Sequence, residues 1–401
     1  MRLSRLRLSF SVICLYSLAA LTLCTAQTDD VLCRGGNGKF EASFRREVKV
    51  HVGAARSDGL ATRTCEAILS SGGQEVSVAS GAWQVDLDAF GIDLGLGVPV
   101  ATFQVQKSEF DCCTTYLIYS LQNPPRLLRA LTGGSSFQVS DLDLDGRVEI
   151  WTDDAAAIDG LDRLTLSDFE FLPSLVLRFE NNQLLDVGAE FQTYFDERIA
   201  KVRAQIDSHD LKDFKNTDGK LATLGAFPPE VVHRLRKAKV GVLEIVWAYL
   251  YSGRQREAWA ALQEMWPGAD VERIRAAIVS ARDHGILAQT NGAGAASSAH
   301  KRKRATIYDV AMSQGDESEI ASPQPILLRR PPPSTAERAS QKAEILVDLI
   351  IDSAGKVRSA GSATSIDPEL VQAALGWKFI PAQRGKHAVA SRTHLAVSLR
   401  R

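Results

Sequence analysis

The chain has 401 residues, of which 45% are hydrophobic and 24% are charged, and its formal net charge is −1. This composition excludes a wholly disordered chain, and the length predicts about two or three domains. Residues 27–190 hold 25 acidic and 13 basic residues, whereas residues 341–401 hold 5 acidic and 9 basic ones. An acidic front with a mildly basic tail argues against nucleic acid as a partner.

The N-terminus has the layout of a secretory signal. Arg2, Arg5 and Arg7 precede an apolar stretch, and the small residues Thr25 and Ala26 follow it. We therefore expect residues 1–26 to be cleaved after Ala26, which would place the protein in the periplasm or cell envelope. The apolar stretch is also about as long as a membrane span requires, so an uncleaved inner-membrane anchor facing the periplasm is the alternative.

Four cysteines remain after the signal, all of them in the acidic part of the chain: Cys33, Cys65, Cys112 and Cys113. Four cysteines in an exported domain predict two disulfides. Because a bridge between adjacent residues is strained, we expect Cys112 and Cys113 each to pair with one of Cys33 and Cys65. A zinc site is the alternative, but no CxxC pair or nearby His supports it.

Residues 27–190 are predicted to form a β-rich domain. Short, partly alternating runs are separated by Gly, Asn, Asp and Pro, which is typical of strands and turns. The runs read REVKVHVG, EVSVASG, WQVDLDAFG, VATFQVQ, TYLIYSL and LVLRFENNQLLDV.

One stretch of this domain, SDLDLDGRVEIWTDD, has the spacing of a calcium loop. Asp141, Asp143 and Asp145 alternate along the chain, and Gly146 permits a sharp turn. An EF-hand needs a bidentate Glu where this chain has Thr152, so the loop is not an EF-hand. It resembles a single copy of the DxDxDGxxE loop of FG-GAP and VCBS-type β-propeller repeats, with a strand following at VEIW.

The resemblance implies one structural calcium ion that clamps a hairpin. The carboxylates of Asp141, Asp143, Asp145 and Glu149 and the backbone carbonyl of Arg147 would bind it. Acids this close repel one another unless a cation or solvent screens them, which favours metal. The alternative is an acidic turn that holds no ion.

Residues 191–288 are predicted to be α-helical. Apolar residues in VLEIVWAYLYSGRQREAWAALQEMW recur at i, i+3, i+4 and i+7, and Gly253 ends the first helix. Asp270 is placed to cap a third helix that ends near Gly285. The stretch WAYLYSGRQREAWAAL resembles the helix-turn-helix of one tetratricopeptide repeat. Upstream, FDERIAKVRAQIDSHDLKDF predicts one further amphipathic helix.

Residues 289–340 are rich in Gly, Ala, Ser and Pro and lack sustained periodicity, so we expect a disordered linker that ends in RRPPP. Residues 341–401 follow with two strand-like runs around Gly355, a helix start at Asp367 and Pro368, and a last strand RTHLAVSL. The predicted unit is strand, strand, helix, strand. The whole chain is therefore predicted to be a multidomain α+β protein.

This last unit resembles the C-terminal domain of TonB-type energy transducers. The resemblance lies in IDSAGKV, then AAL, then WKFIPA followed by Gly385 and Val389, in that order. It implies an interaction domain that binds a peptide, such as one from an outer-membrane receptor, by adding a strand to its sheet. We predict that the last strand provides the binding edge, with residues Arg392, Thr393, His394, Leu395, Ala396, Val397, Ser398 and Leu399.

The sequence thus favours a non-enzymatic cell-envelope protein with a protein partner. Membrane contact would come only from the N-terminal segment, if uncleaved. A TonB-type energy transducer supporting transmembrane transport is the first alternative, but residues 8–26 hold no motor-coupling His. An envelope hydrolase is the second, although G-x-S-x-G, H-E-x-x-H, Walker and G-x-G-x-x-G motifs are absent.

Overall fold

The computed structural model combines helices and sheets, in agreement with the predicted α+β class. It describes residues 40–45, 47–57, 60–109, 112–162, 164–221, 228–294, 305–310, 320–328, 344–361 and 368–398. The signal segment, Cys33, Asp367 and Leu399 lie outside these ranges. Within them, no helix has both the length and the apolar character that crossing a membrane demands.

The chain divides into two units, and the first contains the described residues up to Leu87 together with 105–109 and 123–125. An antiparallel meander in sequence order forms its sheet. The strands are β1 (Phe40–Phe44), β2 (Val48–Ser57), β3 (Leu60–Ser71) and β4 (Gln74–Ala82). In β2, Val48, Val50 and Val52 are buried while Lys49 is exposed, so alternate residues line one face.

Two further four-stranded sheets follow along the chain. The first has the order β5-β6-β7-β8 and the second the order β12-β11-β10-β9. The strands are β5 (Gln84–Ile92), β6 (Val100–Gln106), β7 (Thr114–Ser120), β8 (Arg126–Gly134), β9 (Phe137–Ser140), β10 (Glu149–Asp153), β11 (Ser174–Glu180) and β12 (Gln183–Asp186). Each predicted strand-like run of the β-rich part overlaps at least one strand, whereas β1, β3, β8 and β9 were not predicted.

Between β12 and residue 294, the described part of the chain contains five α-helices. They are α1 (Gln192–Gln205), α2 (Ser208–Lys215), α3 (Pro229–Tyr251), α4 (Gln255–Met265) and α5 (Val271–His284). The upstream helix is divided into α1 and α2, because the Asp207 side chain accepts hydrogen bonds from the N–H groups of His209 and Asp210 and so starts a new helix. The third predicted helix is present, since α5 begins after Asp270 and ends before Gly285. The predicted cap is wrong, because the Asp270 side chain makes no capping hydrogen bond and instead accepts from Trp266 Nε1 and Arg273 Nε.

The helices and the preceding strands share one hydrophobic core. Trp247 of α3 is 1% exposed, and its ring lies 5.0 Å from that of Phe169, which precedes β11. The same core includes buried residues from Ala89 to Ile286 and also Ala354. The boundary predicted between residues 190 and 191 is therefore not a boundary of the core, because the apolar faces of the sheet and of the helices bury each other.

A C-terminal module, defined as residues 344–398, has the predicted order of two strands, a helix and a last strand, with three short strands added before the last. Its elements and those just upstream are β13 (Tyr308–Asp309), β14 (Ile320–Ala321), β15 (Gln324–Leu327), β16 (Glu344–Ile351), β17 (Val357–Gly361), α6 (Pro368–Leu375), β18 (Lys378–Ile380), β19 (Ala382–Arg384), β20 (His387–Val389) and β21 (Ser391–Ser398). Strand β16 is central between β17 and β21. Trp377 and Phe379 join Val347, Leu349 and Ile351 in a core of the module's own.

The prediction that all of residues 289–340 are disordered is wrong for three short strands. Strand β13 pairs in parallel with β21, β14 pairs antiparallel with β19, and β15 pairs antiparallel with β18. The physical reason is that edge strands of the module offer unpaired backbone groups, which a nearby extended segment satisfies. Residues 295–304, 311–319 and 329–340 lie outside the described ranges.

The expected disulfide pairing also needs correction. Cys112 is bonded to Cys113, with their Cα atoms 3.7 Å apart, rather than to Cys33 or Cys65. Cys65 is also disulfide-bonded. The physical reason is proximity: the peptide bond between Cys112 and Cys113 keeps the two residues within reach of each other.

Candidate functional site

The acidic loop between β9 and β10, residues 141–149, folds as a tight turn around the Asp141 side chain. The Asp141 Oδ1 atom accepts a hydrogen bond of 3.0 Å from the N–H of Asp145, and Oδ2 accepts one of 3.0 Å from the N–H of Gly146. Leu144 and Gly146 have φ angles of 58° and 87°, which reverse the chain direction. Asp141 itself is 0% exposed.

The structure brings three of the predicted metal ligands together. One carboxylate oxygen from each of Asp141, Asp143 and Asp145 lies within 4.8 Å of the other two. An all-oxygen donor set of this kind suits a hard cation such as Ca²⁺, which takes about 6–8 oxygen ligands at about 2.3–2.6 Å. These residues could hold such an ion, with backbone carbonyls and water supplying the remaining ligands.

Glu149, the predicted fourth carboxylate, lies at the start of β10 and is 1% exposed. Its Oε1 accepts a 3.2 Å hydrogen bond from Arg178, whereas its buried Oε2 has no hydrogen-bond partner within the described part of the chain. Burial raises the pKa of Glu149 well above its ordinary value; Arg178 opposes this rise, and the charges of Asp143 and Asp141 add to it. A buried carboxylate oxygen beside two further carboxylates is the position that a cation would stabilise.

Arg147 has a role in the loop that the sequence did not reveal. Its Nε donates to Asp145 Oδ2 at 2.7 Å, and its backbone N–H donates to Asp145 Oδ1 at 2.8 Å. Its guanidinium also lies 3.3 Å from Glu190. The side chain therefore acts as a counter-ion for the predicted ligand Asp145, beyond the backbone carbonyl that the calcium prediction assigned to this residue.

Asp141 also contacts the turn between β16 and β17. The Ser353 hydroxyl donates a 2.6 Å hydrogen bond to Asp141 Oδ2, and the backbone N–H of Asp141 donates to Asp352 Oδ2 at 3.2 Å. Burial raises the pKa of Asp141 to about 6; the bond from Ser353 lowers it, while the charges of Asp352 and Asp145 raise it. Sequence reasoning missed this contact, although Asp352 and Ser353 belong to the turn motif IDSAGKV.

Two cavities flank Gly146 and Ala388. One of about 200 Å³ is lined by Arg147, Arg178 and Ser353 among others, and one of about 410 Å³ is lined by Asp145 and Tyr308 among others. Residues of the acidic loop line both cavities, and Tyr308 of β13 lines the one of about 410 Å³.

The predicted binding residues from Arg392 to Ser398 lie on β21, the outermost long strand of the module's sheet, and Leu399 lies outside the described residues. Its register with β16 runs from Ser391 opposite Ile351 to Ser398 opposite Glu344. On its other side, β13 is the one strand among the described residues that pairs with β21. The N–H of Tyr308 donates to the carbonyl of Ala390 at 3.0 Å, and the N–H of Val310 donates to the carbonyl of Arg392 at 3.0 Å.

The side chains of β21 alternate between the two faces of the sheet. Val397 belongs to the module's core and Leu395 packs against that core, whereas Arg392, His394 and Ala396 are exposed. The predicted binding strand therefore has one face held by the module and one open face.

Comparison of the chain with family models, with curated proteins and with solved structures gave no match in any of the three.

Proposed function

We propose that this is a non-enzymatic cell-envelope protein whose C-terminal module binds an extended peptide of a protein partner by strand addition at β21. The observation that carries the proposal is that the outer edge of β21 already pairs with a strand, β13, from the same chain. The two hydrogen bonds are each 3.0 Å long. An edge that holds two residues of extended backbone has the geometry to hold a longer segment.

The edge continues beyond β13 with backbone groups available for pairing. The carbonyls of Ala390 and Arg392 point to the β13 side. Because backbone direction alternates with a period of two, the N–H and C=O groups of His394, Ala396 and Ser398 point to the same side. Among the described residues, no strand pairs with β21 along this portion.

The open face beside this edge indicates the chemistry of the partner. Leu346 of β16 is 57% exposed and stands opposite Ala396, which gives the face an apolar patch. Asp348 lies 3.5 Å from Arg392 and 3.6 Å from His394. We expect the peptide to place an apolar side chain beside Ala396, and the charged residues to discourage pairing between two copies of this edge.

Selection of ten-residue peptides from a phage-displayed library against the full chain tests this proposal. The Ala396→Pro variant removes an N–H that points away from β16, so the fold is retained while peptide affinity falls at least tenfold. Ala396→Val keeps the N–H and serves as the matched control, with affinity close to that of the unmodified chain. Equal binding to both variants, or a library that yields no binder, would contradict strand addition.

The energy-transducer alternative requires that the N-terminal segment remain as an anchor, and this segment lies outside the described residues. The intact mass of the protein from a native-like envelope decides between the two. A chain that begins at Gln27 contradicts an anchored transducer, and a chain that retains Met1 in the membrane fraction supports one.

We also propose that the acidic loop binds one structural Ca²⁺ ion. The specific observation in its favour is the buried Oε2 of Glu149, which lacks a hydrogen-bond partner in the described residues. The charges of Asp143 and Asp141 act on this carboxyl group, and the oxygens of Asp141, Asp143 and Asp145 converge. Calorimetric titration of the chelator-treated protein with Ca²⁺ and with Mg²⁺ tests this. We expect preference for Ca²⁺ and loss of binding in Asp143→Asn.

A further inference from the structure

The turn between β16 and β17, residues 352–356, packs against Asp141, the first residue of the acidic loop. The turn, and the C-terminal module with it, is called seated when these contacts are made. Ser353 donates its hydroxyl proton to Asp141 Oδ2 at 2.6 Å, and Asp141 donates its N–H to Asp352 Oδ2 at 3.2 Å. Asp141 and Asp352 are both 0% exposed. The first predicted metal ligand is therefore bonded twice to the C-terminal module.

Two further contacts hold the turn in this position. Ala354 is 1% exposed and is part of the main hydrophobic core rather than of the module's own core. Lys356 donates through Nζ to the backbone carbonyl of Asp88 at 2.6 Å and to its carboxylate. The turn is thus held by apolar and ionic contacts as well as by the two bonds to Asp141.

Within the described residues, no cation is bonded to Asp141 where the turn meets the loop. The nearby cations are bonded to other acids: Arg147 to Asp145, Arg178 to Glu149, Lys356 to Asp88, and Arg358 lies 3.7 Å from Asp352. Asp141 itself receives hydrogen bonds from neutral groups only. A divalent cation on the loop would reduce the repulsion between Asp141 and Asp352 that seating the turn creates.

We propose that Ca²⁺ binding to the acidic loop and seating of the C-terminal module are energetically linked, with Ser353 as the residue that positions Asp141 for the ion. This inference rests on the calcium role proposed above. A hydrogen bond to a ligand carboxylate fixes its orientation and commonly contributes about 10- to 100-fold in metal affinity. By linkage, an ion that binds better when the turn is seated must also stabilise the seated turn.

Calorimetric titration of the full chain with Ca²⁺ tests the linkage. Ser353→Ala weakens Ca²⁺ binding by about 10- to 100-fold, whereas Ser353→Thr, which keeps the hydroxyl, restores the affinity lost in Ser353→Ala. Ser359→Ala, an exposed serine on β17, is the matched control and leaves the affinity unchanged. Circular dichroism establishes that each variant is folded before titration.

Hydrogen exchange provides the reciprocal measurement on the unmodified chain. The N–H groups of Ala354 and Lys356 donate to Asp352 Oδ1 at 2.9 Å each, so they report directly on the turn. Ca²⁺ slows their exchange if the linkage holds. The linkage is overturned if Ser353→Ala binds Ca²⁺ with unchanged affinity, or if Ca²⁺ leaves the exchange rates of these N–H groups unchanged. Either result leaves the metal site itself intact. An unmodified chain that binds no Ca²⁺ overturns the calcium proposal and the linkage together, and strand addition at β21 stands or falls separately on its peptide assay.

Discussion

Replacing Lys356 by methionine tests how strongly the C-terminal module is held by a buried ion pair. Lys356 is 6% exposed and Asp88 is 3% exposed. Besides Lys356, the Asp88 carboxylate accepts a 2.7 Å bond from the Tyr116 hydroxyl and a 2.8 Å bond from the N–H of Val139. Burial by itself raises the pKa of Asp88, but the charges of Lys356 and Lys378 outweigh it, so its pKa lies below the ordinary value.

Removing one partner of a buried pair leaves the other charge without compensation, which costs about 3–5 kcal/mol. We therefore expect Lys356→Met to lower the free energy of unfolding by about this amount. The double variant Lys356→Met with Asp88→Asn should recover part of the loss, because an asparagine carries no charge and its oxygen still accepts from Tyr116 and Val139. Lys386→Met, at an exposed lysine of the same module, should change stability by less than about 0.5 kcal/mol.

The loss should also depend on pH. In the unmodified chain the lowered pKa of Asp88 contributes stability that is present above the unfolded pKa of about 3.9 and is lost as pH falls through the lower folded pKa. Without Lys356, burial raises the folded pKa, so stability falls as pH rises and the defect is larger at pH 7 than at pH 5.

Urea unfolding followed by tryptophan fluorescence measures these differences, since Trp377 belongs to the module's core. A loss below about 1 kcal/mol in Lys356→Met, or a double variant no more stable than the single one, would refute the reasoning. Either result would mean that Lys356 is hydrated rather than buried against Asp88.

The same unfolding assay checks two further changes. Gly355 has a φ of +80°, and a Cβ there would lie 1.9 Å from the Phe379 carbonyl oxygen. Gly355→Ala should therefore lower the free energy of unfolding by more than left-handed backbone strain alone, which costs about 1–2 kcal/mol. Gly385→Ala is the matched control, because Gly385 has a φ of +61° and open space around it, so only the backbone strain should be lost. Equal losses of stability in the two variants would contradict the clash at Gly355. Trp247→Ala should cost about 3–5 kcal/mol, because it opens a cavity beside Phe169, and a loss below about 1 kcal/mol would show that the site is not packed.

Features that depend on neighbouring residues were predictable from the sequence. The alternation of Val48, Val50 and Val52 reflects the two faces of one strand, and the spacing of Asp141, Asp143 and Asp145 reflects the turn of one loop. Helix α5 begins and ends where its flanking residues predicted. In each case the information lies within about one turn or hairpin of chain.

Local sequence patterns did not predict structure that depends on pairing with a distant part of the chain. The segment containing Tyr308 and Asp309 has the composition of a linker, yet it forms a strand because β21 presents carbonyls to it. The break at Asp207 has a local cause instead: its side chain accepts hydrogen bonds from the N–H groups of His209 and Asp210, which starts a new helix.

The sequence by itself determined the alternation of strands, the helical stripes, the acidic loop, and the first two strands, the helix and the last strand of the C-terminal module, because each depends on the covalent spacing of residues. Only the tertiary structure decided that Ser353 bonds to Asp141 across 212 residues, that Lys356 faces Asp88, and that one edge of β21 is partly occupied. Such contacts leave no periodic trace in the sequence, since they arise when buried polar groups and unpaired backbone groups find partners in the folded chain.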